Sequence, residues 1–532
     1  MTDRRSWRVL SALMVAALLL LAACSSSDDS SSSDDSASDG STAPSDVDAN
    51  GILRLGYDIN QSGNAWNYNA LDIAQGNSLS NDPLWYFQYA RLMRPMSDGS
   101  IEPDLATSVE IVDTKTIEVT LRDGLKFSDG TPLDAAAVKA SYEALLAAQA
   151  NNVDGFSAAF FTLDSIEVTS PTTLTLGFSS GTAPSWFDQF IPTFGGSVFK
   201  FGGDPNVPIG AGPFMVTSYT SGVSWTYAKN PNYWNADAVR LAGIEITQVN
   251  FAQPQAGLAA LQSGQVDITF SEPALLSTFT GDFAPVEKTS PNSAAMMMIC
   301  KASGPLADAR VRQAINKGMD REAISEAVYY GTASPMTEPW PEGHRLYNPD
   351  VADTLAYDPE GAKQLLAEAG YADGITVDVY PIQAFNLDET AEVIQQQLGE
   401  IGITVNIVPT TDYVNQFMNP ARPGSIGIYP SSVPGPQKLN VWTGNSLGNV
   451  CKYDNPEITQ LAKSLTGVSE QSQEAVDLWY QLDEEVTTEA PSGFIVFTAD
   501  VGGYNTTRIG DMQAWPLGNY TVPDPWVSYI KG

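Results

Sequence analysis

Acid–base chemistry near neutral pH has a single imidazole to draw on in this chain of 532 residues: His344, set among Pro341, Glu342, Gly343 and Arg345 in a loop-like stretch. A Ser-His-Asp hydrolase would have to use it. No Gly-x-Ser-x-Gly elbow precedes it and no serine is marked as its partner, so it reads as a solvated loop residue. Ser197-Val198-Phe199-Lys200 fits Ser-x-x-Lys, but the companion Ser-Asp-Asn and Lys-Thr-Gly are both missing, and in so serine-rich a chain the match is coincidence. No residue is assigned a catalytic role, and no enzymatic activity is expected.

Metal and phosphate chemistry fare no better. Neither Cys-x-x-Cys nor His-x-x-x-His occurs, which argues against a zinc or nickel site made only from protein nitrogen and sulfur. Gly210-Ala211-Gly212 runs straight into Pro213, which breaks a dinucleotide fingerprint, and no Walker sequence is present, so neither metal nor cofactor is expected. With 62 acidic against 27 basic residues and a formal charge of −35, the chain would repel phosphates, which excludes nucleic acid as a partner. Of three cysteines, Cys300 and Cys451 allow one intrachain bridge in an oxidising exterior, or a buried free thiol at each position.

The elements alternate between strand and helix, which points to α/β lobes. Ile52 to Tyr57 reads as the first strand. Lys115 to Leu121 alternates like a half-buried strand, and Asp123-Gly124 and Asp129-Gly130 make turns. Asp134 then caps a helix with Val138, Tyr142 and Leu145 on one face. Asp308, Asp320 and Asp358 cap three more, the last with Pro359 at its first position, and Gly331 and Gly370 follow the ends of the second and third. A helix from about Leu387 to Ile401 feeds a strand at Ile403, Val405 and Ile407.

The N-terminus carries an export pattern. Arg4, Arg5 and Arg8 precede an apolar run, Val9 through Leu20, too short to span a membrane comfortably, so residues 1–23 read as a cleaved lipoprotein signal peptide. Leu21-Ala22-Ala23-Cys24 looks like a lipobox, which predicts lipidation of Cys24 and anchoring to the outer face of the cell membrane. Residues 24–49 are Ser, Asp, Gly and Ala with hardly an apolar side chain, which predicts a disordered, extended tether.

Five ordered blocks carry a resemblance. They are Asp98-Gly99-Ser100-Ile101-Glu102-Pro103-Asp104-Leu105-Ala106; Leu121 to Leu133; Gly210-Ala211-Gly212-Pro213-Phe214 with Lys229-Asn230-Pro231-Asn232-Tyr233-Trp234; Asp308 to Ile315 with Met319-Asp320-Arg321; and Tyr357 to Lys363 continuing to Ala369-Gly370-Tyr371. With them the chain resembles the family 5 extracellular solute-binding proteins, the receptors of peptide, nickel and related ABC importers. The resemblance implies an α/β, two-lobed periplasmic-binding-protein-like clamshell of the class II type, with an extra small domain in the first lobe. Domain one would comprise 50–78, 200–295 and 500–532, domain two 79–199, and the second lobe 296–499, with crossings near Ala294–Cys300 and Phe494–Asp500. The implied partners are a small-molecule or oligopeptide ligand and the permease and ATPase subunits of the importer, the receptor itself being a monomer.

The ligand would then lie between the lobes, held by aromatic faces and a few polar groups. The segment before Tyr453-Asp454-Asn455-Pro456-Glu457 offers Tyr429, Asn440, Trp442 and Asn445, and the first lobe offers Asn64, Trp66, Asn67 and Tyr68. Peptide-binding members carry an acidic residue in that second-lobe segment, which pairs with the α-ammonium group. Here Ile426 to Val450 contains no Asp or Glu, which puts free-amine peptides in doubt and favours a neutral, capped or sugar-like solute. An oligosaccharide receptor is therefore the alternative, and a lipid-anchored hydrolase the third reading.

Overall fold

The structure, a computed structural model, describes residues 46–58, 87–96, 101–150, 163–189, 191, 196–200, 209–220, 222–250, 253–300, 303–410, 412–418, 422, 424–431, 441–443, 449, 451–514 and 522–532. Cys24 and the signal segment lie outside them. The tether expected through residue 49 gives way earlier: Asp46 accepts from Tyr529 Oη at 2.9 Å and Asp48 N–H donates to the Ile530 carbonyl at 2.8 Å. Those backbone and side-chain bonds pin the chain from Asp46 onward.

Two strands organise the fold. Phe283–Ile299 and Ser492–Asn505 pair antiparallel and form the middle of an eleven-stranded sheet. Seventeen residues at about 3.3 Å each make the first strand roughly 55 Å long, enough to serve two lobes. On one side lie the parallel strands Ile52–Tyr57, Gly243–Gln248 and Ile268–Phe270. On the other lie Ile375–Pro381, Ile403–Ile407 and Ser425–Ser431, also parallel. Register between the long strands breaks between Thr289 and Ala294, opposite Phe497 to Ala499. The crossing expected at residues 294–300 thus begins some residues earlier, and Ala294 and Ala295 already pack into second-lobe clusters.

Period-two alternation fills both faces of the sheet. Ala295, Met297 and Ile299 enter a cluster with Val311, Ala314, Ile315, Ile394 and Leu398. Ala294 and Met296 enter another, with Trp340, Trp479 and Leu482. A third cluster serves the first lobe and runs without a break from the Leu53 and Leu55 strand into the small domain at Ile117, Val119, Leu174 and Leu176. That small domain is a four-stranded antiparallel sheet, in the order Ala106–Asp113, Thr116–Leu121, Thr173–Phe178, Leu163–Ser170. Helix Ala135–Ala150 covers it through Val138 and Tyr142.

Helix starts follow local chemistry. Asp134 accepts from Ala137 N–H at 2.9 Å, Asp308 from Arg310 N–H at 2.9 Å, Asp320 from Ala323 N–H at 3.0 Å and Asp358 from Gly361 N–H at 2.9 Å, each satisfying an orphan donor of a first turn. Gly331 and Gly370 take φ of 77° and 89° just past helices Arg321–Tyr329 and Pro359–Glu368, a conformation that glycine adopts without strain. Among the described residues no helix is long and apolar enough to cross a membrane.

Candidate functional site

Strand direction locates the site. Tyr57 pairs with Gln248, Gly56 with Thr269, and Phe270 with Gly502, so the three parallel strands of the first half end facing Asp500. In the other half Pro381 pairs with Ile428, and Ser431 with Ala294, so that set also ends at the register break. The carboxyl ends of both parallel sets therefore point at one waist from opposite sides. In open α/β sheets ligands bind outside such ends, where the topology switches.

The waist is charged. Lys288 lies directly opposite Asp500 across the long strands. Lys288 is 9% exposed, and Asp500 Oδ2 is enclosed without a hydrogen-bond partner. Burial pushes the Asp500 carboxyl up to about 7, against the pull of Lys288, and pushes Lys288 down to about 8, against the pull of Asp500. At the end of the first strand, Asp58 accepts from Gln248 Nε2 at 2.7 Å. No motif marks this pair in the sequence, where Lys288 stands between Glu287 and Thr289 in a largely polar stretch of its strand.

Of the residues expected at the ligand, Asn64, Trp66, Asn67, Tyr68, Asn440 and Asn445 lie outside the described residues. Tyr429 pairs with Met296 in the sheet, two residues before the waist-facing end of its strand, and its hydroxyl is 4.0 Å from Met296 Sδ. Trp442 requires a correction. Its side chain is 1% exposed, donates Nε1–H to Ser492 Oγ at 2.8 Å and packs edge-on against Phe494, so it belongs to the second-lobe core and offers no surface to a solute. Ser492 pairs with Met298, toward the strand end away from the waist. Cys300 and Cys451 are joined by a disulfide, with Cα atoms 4.6 Å apart.

His344 is less solvated than expected: it stacks on Trp340 with centroids 4.2 Å apart, and its Nδ1 accepts from Leu346 N–H at 3.2 Å. A Gly-x-Ser-x-Gly match at 444–448 follows His344 in the chain and lies outside the described residues. Lys200 is bonded to Asp129 and to Thr131 Oγ1, which ties it down apart from Ser197. Among the described residues no three His, Cys, Asp or Glu side chains gather as a metal site.

The signature blocks meet in space as scaffold. Asp104 accepts from Arg91 N–H at 3.1 Å, Tyr233 Oη at 3.2 Å and Trp234 Nε1 at 2.8 Å. Arg122 lies 3.7 Å from the Trp234 ring centroid and donates Nε–H to the Asp104 carbonyl at 2.6 Å. Asn230 Nδ2 donates to the Gly212 carbonyl at 2.8 Å, and Ser128 N–H to the Gly210 carbonyl at 2.7 Å. A Cβ on Gly212 would lie 2.6 Å from the Gln88 carbonyl carbon, so these glycines permit close backbone approach.

Two lobes joined by crossing strands, with a small extra domain on the first, define a class II clamshell of the periplasmic-binding-protein type. The ABC transporter substrate-binding protein CtaP of Listeria monocytogenes shares this fold at a TM-score of 0.76 and 21% identity, covering 91% of this chain and 100% of that one. Haem-binding protein A of Haemophilus influenzae is 29% identical over 331 residues, 57% of this chain and 58% of its own length. Glutathione-binding protein GsiB of Salmonella paratyphi A is 26% identical over 361 residues, 64% of this chain and 67% of its own length. The family description "Bacterial extracellular solute-binding proteins, family 5 Middle" matches residues 100–436, and the chain belongs to that family.

Proposed function

We propose that this protein is the receptor of an ABC importer, capturing a peptide-like or other small polar solute between its lobes and delivering it to the permease. The observation that carries this reading is the convergence of both sets of strand carboxyl ends on one waist, which directs two lobes at a common ligand. ATP would be hydrolysed by partner subunits, and the receptor itself performs no reaction. Lipid on Cys24 holds it at the outer face of the membrane, where it works as a monomer.

A non-peptide solute such as an oligosaccharide is the second reading, favoured by the lack of any acidic residue from Ile426 to Val450. The names of relatives speak for both kinds of cargo: GsiB binds glutathione, and haem-binding protein A takes a ligand with no peptide bond. Mass spectrometry of small molecules released from the purified protein is the test. One recovered solute that rebinds at a single equivalent and raises the unfolding temperature supports a receptor. Turnover that disappears in His344→Ala would replace it with the hydrolase.

A further inference from the structure

Away from the crossing strands, the small domain of the first lobe also touches the second lobe. Asp188, in the last turn of helix Ala183–Gln189, reaches a second-lobe loop, where its Oδ2 accepts from Ser469 Oγ at 2.9 Å and from Glu470 N–H at 2.6 Å. The loop leads into helix Gln473–Glu489, whose first turn Ser472 caps, so the carboxylate lies near the positive end of a long helix. Arg345 holds the loop from the second-lobe side: Nη1 donates to the Glu470 carbonyl at 2.5 Å and Nη2 to the Ser472 carbonyl. The backbones are close here too, since a Cβ on Gly467 would lie 3.7 Å from the Gly181 carbonyl oxygen.

Three features separate this contact from an incidental surface pair. Its acceptor is a half-buried carboxylate with one oxygen shared by two donors and the other enclosed. Its donors are pre-positioned by a capped helix and an arginine, so little side-chain freedom is lost when they meet the carboxylate. Its two sides belong to elements whose cores are separate, Trp186 and Phe178 on one side and Trp479 and Leu482 on the other. Burial raises the Asp188 carboxyl above its usual range, opposed by its two donors and the Arg345 charge.

We infer that Asp188 is an interlobe clasp: it holds the small domain against the second lobe in the closed form, and so sets how long a solute is retained without touching it. The inference rests on the reading that the lobes close around a solute. A carboxylate that exchanges water for two fixed donors only on closure favours the closed state, and a residue acting on that equilibrium changes release more than capture.

Two measurements on the full chain, made without solute, test the clasp. Hydrogen exchange at the Glu470 amide should speed up about tenfold in Asp188→Ala, the size of one lost charge-assisted bond. Small-angle scattering should show the radius of gyration increasing in Asp188→Ala and in Ser469→Ala, with the double variant no more open than the Asp188 variant, because both remove one contact. Melting of the individual lobes should not move. A Glu470 amide that exchanges equally fast in both proteins, an unchanged radius in Asp188→Ala, or a lowered melting temperature with unchanged radius overturns the clasp. Neither readout uses a solute, so a failure here leaves the importer reading standing, and a failure of that reading leaves these measurements interpretable.

Discussion

Asp104 shows what a signature residue does in this protein. Three donors converge on its carboxylate, two of them, Tyr233 and Trp234, from one signature block and the third, the Arg91 amide, from outside the blocks. Asp104→Ala would leave those buried donors unmet, at about 1–3 kcal/mol each, so the urea midpoint of the first lobe should fall by an amount worth at least about 3 kcal/mol while solute stoichiometry stays at one. Loss of binding without loss of stability would make the residue a ligand contact instead. The Lys288 and Asp500 pair predicts a pH signature. An unfolded aspartate ionises near pH 4 and Asp500 near about 7, so between those values the native state holds more protons and stability falls as pH rises. Lys288 works in the opposite sense: its native value of about 8 lies below the unfolded value near 10.4, so stability rises with pH across that window. Urea titrations should show Asp500→Asn removing the slope between about pH 4 and 7 and Lys288→Met removing the slope above about pH 8. Slopes identical to wild type would mean that neither group is perturbed. Such residues were not legible in the sequence, because burial of a charge depends on what packs over it. Trp442 failed for the same reason: an aromatic beside small polar residues fits a cleft wall and a core equally well.

At the scale of the element, the sequence spoke clearly wherever the cause was local. The four aspartate caps, the strand Ile403–Ile407 and the helix Leu387–Glu400 lie where cap chemistry and periodicity put them, because each is decided within a few residues. The pairing of Phe283–Ile299 with Ser492–Asn505 was not readable, since partners some two hundred residues apart share no local pattern. The disulfide was undecided for that reason: nothing local shows that the chain after residue 432 returns to the end of the long strand. Its consequence is now calculable. Cys300 and Cys451 close a loop with a sequence separation of 151, and tying so long a loop stabilises by about 2–5 kcal/mol through the unfolded chain. Reduction, or Cys300→Ser with Cys451→Ser, should lower the denaturant midpoint of the second lobe and leave the first lobe unchanged. Equal loss in both lobes would mean that they do not unfold separately. A cap is a smaller matter: Asp320→Ala should cost the second lobe about 1 kcal/mol.

The whole molecule sets these pieces in opposition. Among the described residues, one large hydrophobic cluster fills the first lobe and its small domain with a lesser one beside it, three fill the second lobe, and the long strands run from one set to the other. Cores that share little surface unfold with little cooperativity, so calorimetry of the solute-free protein should resolve two transitions. A solute that touches both lobes binds only when both are folded, and at a concentration of about 100 times Kd it adds about 2.7 kcal/mol to their joint stability. The less stable transition should therefore rise toward the other until the two merge, with the radius of gyration falling over the same titration as the remaining open molecules close. A solute bound by one lobe alone would raise one transition, leave the other where it was and leave the radius unchanged. That pattern would remove the waist as the binding site, because a ligand seated where both sets of strands end cannot engage one lobe and be indifferent to the other.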